Sequence, residues 1–276
     1  MHTDWLIPDW PAPQNVRAVF TTRQGGVSSA PWDTLNLGDH VGDVAANVAT
    51  NRLQLKNALD ARTVFLQQVH GHAVLALDDA TPDGLPADAC VTTQRGMACS
   101  IMVADCLPVL LASMDGTVVA AAHAGWRGLA GQDGGYGVLE SVFDAFYASF
   151  SPAAPVKPAQ LAINTIAWLG PSIGPAAFEV GADVKAAFEF SQPEAARCFV
   201  AKGSGKYLAD LAGLARLRLQ ALGITRVYGN DGTAPWCTAG NPEKFFSHRR
   251  DAAAGGNGLG NGFGTTGRMA ACVWLA

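Results

Sequence analysis

The sequence predicts an α/β fold with mixed sheets and helices packed outside them, on three observations. Short apolar runs carrying β-branched residues recur between Gly, Asp and Pro turn signals, as buried strands do. Stretches with helical spacing of apolar residues are interspersed with those runs along the whole chain, so neither element type is segregated. The 276 residues, 49% hydrophobic and 15% charged, suffice to bury a large core. A single domain spanning residues 1–276 is expected, and no internal repeat of roughly 20–50 residues suggests a solenoid.

Residues Trp5 to Pro13, rich in Trp and Pro, form an irregular lead-in to a first strand at Val16–Thr21, and Gly25-Gly26 marks the turn that follows. Asp43–Ala58 reads as a helix, with Asp43 as N-cap and Val44, Val48, Leu53, Leu55 and Ala58 mostly on one side. Strands are expected at Val64–Leu66, Ala73–Leu77, Ala89–Thr92, Ala98–Met102, Val109–Ser113 and Val118–His123. Gly137–Phe150 carries Val138, Val142, Phe146 and Phe150 at helical spacing and would cover one sheet face. Beyond it, Leu161–Leu169 reads as a buried strand, Ala176–Phe190 and Tyr207–Leu222 as helices, and Val227–Gly229 and Met269–Leu275 as strands. Ala252–Gly264 is low in complexity and reads as a flexible loop.

A formal charge of −4 offers no basic stripe, so a nucleic-acid surface is disfavoured and a small-molecule partner is expected. The N-terminus lacks the charged and apolar regions of a secretory signal, and no apolar run approaches the roughly 18 residues of a membrane span. A soluble, cytoplasmic protein is the expectation. The six cysteines are too scattered for a disulfide framework, and their default role is that of small buried hydrophobes.

Three residues stand apart. His70, Cys106 and His123 each sit among small or apolar neighbours, where a polar side chain costs free energy unless something satisfies it. Two imidazoles and a thiolate are the ligand set of a catalytic zinc site that keeps its fourth position open. Gly125 lets the chain turn sharply after His123, which presents the imidazole at a strand end.

The blocks Thr22-Arg23-Gln24-Gly25-Gly26-Val27-Ser28, Asn36 to Asp43, Gln68-Val69-His70-Gly71, Ala87-Asp88-Ala89, Ala104 to Val109, His123 to Gly128 and Gly170 to Gly174 resemble the YfiH-type laccase-domain family. That family has been called both multicopper polyphenol oxidase and purine nucleoside phosphorylase. The resemblance runs from about Arg17 to the C-terminus, with the blocks in the family's order. It implies a four-layer α/β/β/α arrangement, metal ligation by His70, Cys106 and His123, and phosphorolysis of adenosine, inosine or guanosine. Adenosine deamination and methylthioadenosine cleavage are further implied activities. The chain departs from the family at His248, where an aromatic residue is common, and in the Gly-rich insertion after Arg249-Arg250-Asp251.

Cys106, His123 and Asp105 are the candidate catalytic residues. Asp105 either orients an imidazole or caps a turn. Arg23, in a glycine-flanked turn, and Arg127, just after His123, are candidate grips for phosphate, and Asn36 is a candidate polar contact. His40 and His72 are left outside the ligand set. The alternatives are a copper-dependent polyphenol oxidase, a metal-stabilised binding protein, a hydrolase built on the Gly170-Pro171-Ser172-Ile173-Gly174 elbow with His248 as base, and a Cys106–His123 thiol hydrolase. Several coppers call for more histidines than the six present. The same ligands take copper more tightly than zinc at equal availability.

Overall fold

The computed structural model describes residues 2–132, 135–150, 157–254 and 265–276. The first half runs β1 (Val16–Phe20), α1 (Ala45–Leu59), β2 (Arg62–Phe65), β3 (Val74–Ala76), β4 (Ala89–Thr92), β5 (Met97–Val103), β6 (Leu107–Ser113) and β7 (Val119–Ala124). The second half carries α2 (Trp126–Ala130), α3 (Val138–Ala148), α4 (Pro158–Ile163), β8 (Thr165–Leu169), β9 (Glu179–Gly181), α5 (Ala182–Ser191), β10 (Phe199–Gly203) and β11 (Lys206–Ala209). It closes with α6 (Leu211–Ala221), β12 (Arg226–Gly229), α7 (His248–Ala254) and β13 (Met269–Leu275). No helix among the described residues is long and apolar enough to cross a membrane.

Two mixed sheets dominate. One has the order β12-β8-β6-β7-β4-β3 and the other β1-β13-β5-β2, with a small antiparallel sheet β10-β11-β9 beside them. Strand alternation sorts the side chains into layers. Leu107, Val109 and Leu111 of β6 join the helices on one side, against Val142 and Phe146 of α3 and Leu214 of α6. Leu110 and Ala112 point the other way, into a core shared with Phe20, Ile101, Trp168 and Val273 from both sheets. Residues of β5 and β13 with the opposite parity, such as Met102 and Cys272, meet Leu55 and Leu59 of α1. The result is the four-layer α/β/β/α stack, with the inter-sheet core as its middle seam.

Several expected elements differ from what forms. In α1 the buried positions are Val48, Asn51, Leu55 and Leu59, while Val44 and Leu53 face solvent. Asp43 is not the cap of that helix, because its carboxylate accepts from Ser28 Oγ and Asn36 Nδ2 and so ties the preceding loop. The strand expected over Leu161–Leu169 begins only at Thr165, since Pro158 starts a short helix in its place. Tyr207–Leu222 divides at Asp210, whose side chain accepts from the Gly213 N–H and caps α6 at 2.9 Å. Ala176–Phe190 likewise contains β9, which pairs with β11 before α5 starts. Of the loop expected at Ala252–Gly264, residues 252–254 close α7 and residues 255–264 lie outside the described residues.

Candidate metal centre and active site

The site forms where β6 begins and β7 ends. These strands pair antiparallel with Leu107 opposite Ala124, so Cys106 and His123 sit at adjacent strand ends. His123 shares the parity of Val119 and Ala121, the side of β7 that faces the inter-sheet core. The chain crosses from one sheet to the other at Ala104-Asp105-Cys106, with Asp105 in the left-handed region at φ 87°. His70 arrives from the loop between β2 and β3, also left-handed at φ 60°.

The donor atoms of His70, Cys106 and His123 lie within 4.8 Å of one another. Cys106 Sγ is 3.7 Å from His70 Nε2. A tetrahedral zinc with its usual bond lengths separates a sulfur and a nitrogen ligand by about 3.6 Å, so the donors fit one such ion. Gly125 makes that approach possible, because a Cβ there would sit 2.9 Å from His70 Cδ2 and 3.1 Å from Cys106 Sγ. Burial works against the charged forms of Cys106 and His123, but each supplies the other's counter-charge. His123, helped by His70, brings the thiol down to about 6, and the thiolate together with Asp88 raises the imidazole to about 9. A thiolate is the form that ligates a metal.

Around the triad opens a cavity of about 420 Å³. Its wall includes Arg127, Arg249 and Arg268 together with His40 and His248. Arg127 stacks its guanidinium 4.5 Å from the Trp126 ring centre. Arg249 reaches the carbonyls of Ala177 and Glu179. Arg268 packs its stem over Gly38, and among the described residues its side chain donates only to the carbonyls of Thr266 and Gly267. Burial and the Arg268 charge together lower the His40 pKa, which favours a neutral imidazole.

The expected substrate residues divide. Arg127 lines the cavity. Arg23 does not, because its guanidinium bonds the Asp33 carbonyl and carboxylate and the Pro242 carbonyl, stacked over Phe246. Asn36 is fully buried and bonds Gly38, Asp43 and the Arg268 N–H, so its amide builds the loop that carries His40. Among the described residues the Asp105 carboxylate bonds no imidazole. It accepts from Thr238 Oγ1 at 2.6 Å, Ser247 Oγ at 3.0 Å and the Arg249 N–H at 2.6 Å, which braces the turn holding Cys106. The carboxylate on a triad imidazole is Asp88, at 2.8 Å from His123 Nδ1; the Ala87-Asp88-Ala89 block was its only signal. Arg249 sits in a block read only as a flank of the Gly-rich insertion, and Arg268 follows that insertion.

Ser172 is buried, and its hydroxyl meets Asn230 Nδ2 at 3.1 Å. It is absent from the cavity wall, to which its neighbour Ile173 and the proposed base His248 both contribute. The elbow therefore turns its serine away from the cavity and into the protein. His72 meets Ser141 Oγ at 3.2 Å, apart from the cavity.

A four-layer sandwich that closes a His-Cys-His triad under an arginine-lined cavity is the architecture of a small-molecule enzyme. The profile described as multi-copper polyphenol oxidoreductase laccase matches residues 17–276, and the chain belongs to that family, the YfiH-type laccase-domain proteins. It is 45% identical over 98% of both chains to a purine nucleoside phosphorylase of Pseudomonas aeruginosa. It is 43% identical, again over 98% of both, to the purine nucleoside phosphorylase YfiH of Escherichia coli. Among solved structures, a Neisseria meningitidis protein matches with TM-score 0.84 and 44% identity over 99% of each chain. YlmD from Geobacillus stearothermophilus matches with TM-score 0.81 and 29% identity, covering 98% of this chain and 96% of that one.

Proposed function

We propose that this protein is a zinc-dependent purine nucleoside phosphorylase, converting adenosine, inosine or guanosine with phosphate into free base and ribose 1-phosphate. Deamination of adenosine and phosphorolysis of S-methyl-5'-thioadenosine are further activities we assign to the same cavity. The observation that carries the reading is the set of three arginines, Arg127, Arg249 and Arg268, that line the cavity holding the triad. Its volume falls in the roughly 300–1,000 Å³ range of small-molecule sites.

In phosphorolysis the bond from the anomeric carbon to the purine nitrogen breaks, a phosphate oxygen bonds that carbon, and the base leaves with a proton. Arginine forks bind phosphate bidentately and hold it against the sugar. Arg268 suits this task, since burial disfavours its charge and only the Cys106 and Asp105 charges oppose that effect. Phe178, Trp126 and Ile173 supply apolar wall for a base and sugar. His70, Cys106 and His123 would hold the ion, which when bound supplies Lewis acidity at the base of the cavity. Asp105 serves by fixing the Cys106 turn.

The family description favours one rival, a copper oxidase, and two imidazoles with a thiolate are also a blue-copper ligand set. Such a centre takes a distant methionine sulfur. Met102 lines the cavity but directs its sulfur toward Arg52 Nη2, 3.9 Å away. Among the described residues one cluster of three metal-binding side chains occurs, where a chain of coppers needs several. The six cysteines are all free, which suits a reducing, cytoplasmic setting, and the match over residues 17–276 supports one catalytic domain.

The test is base release from adenosine, inosine and guanosine by the metal-assayed protein, with and without phosphate. Saturating phosphate dependence with equimolar ribose 1-phosphate is expected, together with about one zinc per chain. Phenol oxidation by the copper-loaded protein, with no nucleoside turnover, would overturn the reading.

A further inference from the structure

We propose that Asp88 is a positioning residue that sets two of the three metal donors, His70 and His123, before any ion arrives. The inference rests on the reading of the triad as a metal centre and assigns a role to a residue that touches neither metal nor substrate.

Asp88 is completely buried, and a carboxylate in that position is tolerated only when its oxygens are fully engaged. Both oxygens are. Oδ1 accepts from His123 Nδ1 at 2.8 Å and from the His70 backbone N–H at 2.9 Å. Oδ2 accepts from the Gly71 N–H at 2.7 Å and the Val69 N–H at 3.2 Å. One side chain therefore gathers three consecutive backbone donors and one ring donor from two separate segments.

Each contact has a consequence for ligation. Three successive N–H groups converging on one anion form a backbone nest. They hold His70 at its left-handed φ of 60°, a conformation that costs a non-glycine residue on the order of 1 kcal/mol or more. At His123 the bond to Oδ1 occupies Nδ1, so Nε2 is the nitrogen left to ligate once an ion displaces any proton it carries. The main chain adds a second hold, because the His123 N–H donates to the Asp88 carbonyl at 2.7 Å. Asp88 precedes β4, and its own N–H donates to the Ala73 carbonyl at 3.0 Å. The carboxylate is thus anchored by its own backbone while it orients both histidines. Cys106 is set independently, through Asp105 on the other side of the site.

The test compares wild type with Asp88→Asn for zinc affinity, by competition with a chromogenic chelator, and for the absorption spectrum of the cobalt-substituted protein. Asparagine keeps the size but accepts at one oxygen only, so donors in the nest or at His123 lose their partner. The expected result is a 10–100-fold weaker affinity, the usual cost of removing a carboxylate behind a metal-bound histidine. The thiolate-to-cobalt band should survive, since Cys106 is held elsewhere, while the ligand-field bands shift. A merely structural role lowers the melting temperature of the metal-free protein without changing those bands. Unchanged affinity and spectrum in Asp88→Asn overturn the proposal.

If Asp88→Asn does not fold, nitrogen-15 spectra of wild-type histidines decide. A proton on Nδ1 of His123 in the zinc-bound protein supports the proposal, and a deprotonated Nδ1 overturns it. Wild type that binds no zinc or cobalt sinks the metal reading and this inference together. Wild type that binds metal but lacks phosphate-dependent turnover sinks the assigned activity and leaves Asp88 in its role.

Discussion

Gly125→Ala isolates the geometry of the triad from the stability of the fold. Gly125 has φ −63° and ψ 154°, angles that alanine adopts freely, so no backbone strain is introduced. At such a position the change ordinarily stabilises by about 0.4–1 kcal/mol, because the unfolded chain loses freedom. The added methyl meets His70 Cδ2 at 2.9 Å and Cys106 Sγ at 3.1 Å, about 0.5 and 0.3 Å short of ordinary contact near 3.4 Å. Both obstructing atoms belong to metal donors, so relief must spread the pair already 3.7 Å apart beyond what one tetrahedral ion spans. Asp88 holds the His70 backbone, so the ring must yield by turning about its own side-chain bonds, away from Cys106. Displacements of this size cost about as much as removing a carboxylate behind a ligand, so zinc affinity should fall 10–100-fold, or about 1.4–2.7 kcal/mol. The assay pairs chelator competition with thermal melting of the metal-free protein. Weakened zinc binding with an unchanged or raised melting temperature is expected. Wild-type zinc affinity would refute the reasoning, as would a metal-free variant that melts several degrees lower.

Arg268→Ala should raise the KM for phosphate at least tenfold while leaving zinc content intact, with Arg268→Lys intermediate because a point charge replaces the fork; steady-state kinetics against phosphate checks it. Ser172→Ala should keep turnover within about twofold and cost about 1 kcal/mol from the lost Asn230 bond, whereas abolished turnover would restore the serine as nucleophile. Burial holds Cys99 protonated and pushes Cys272 up to about 12, while thiols in the unfolded chain ionise near ~8.5. Unfolding then releases protons above that pH, so stability should fall as pH rises from about 8.5 toward 12, by up to about 1.4 kcal/mol per unit for each thiol; denaturant titrations along that range measure it.

His70, Cys106 and His123 were legible as a candidate ligand set because three ligand-type residues recur in short Gly-flanked or strand-end contexts, and the structure gathers their donor atoms within 4.8 Å. The four layers were legible through the family resemblance, because β5, β6, β7 and β13 are buried on both faces and only their packing shows which parity enters which core. The small sheet was not, because β9 and β11 run directly into helices and only pairing across the chain separates them. Arg23 and Asn36 illustrate a related ambiguity. A turn arginine and a turn asparagine look alike in sequence whether they face a ligand or a carbonyl, and here the carbonyls of Asp33, Pro242 and Gly38 claim them. Arg249 and Arg268 join the cavity wall from α7 and from the segment just before β13, far from the triad in sequence, so no local motif announces them.

The two turns that present metal donors share a device. His70 and Asp105 are both non-glycine residues at positive φ, each stabilised only because surrounding structure over-determines it. A buried carboxylate supplies the constraint in both cases, Asp88 accepting from the His70 turn and Asp105 accepting from segments 238 and 247–249. The strain is thereby met by bonds formed on folding, so an ion held by the triad would not have to spend its binding free energy on ordering these turns. This separates the site from the inter-sheet core, where Trp168, Phe20 and Ile101 pack in an apolar cluster. Substitutions at Gly125 or Asp88 should then act on the metal affinity first, and the fold should answer chiefly to the core.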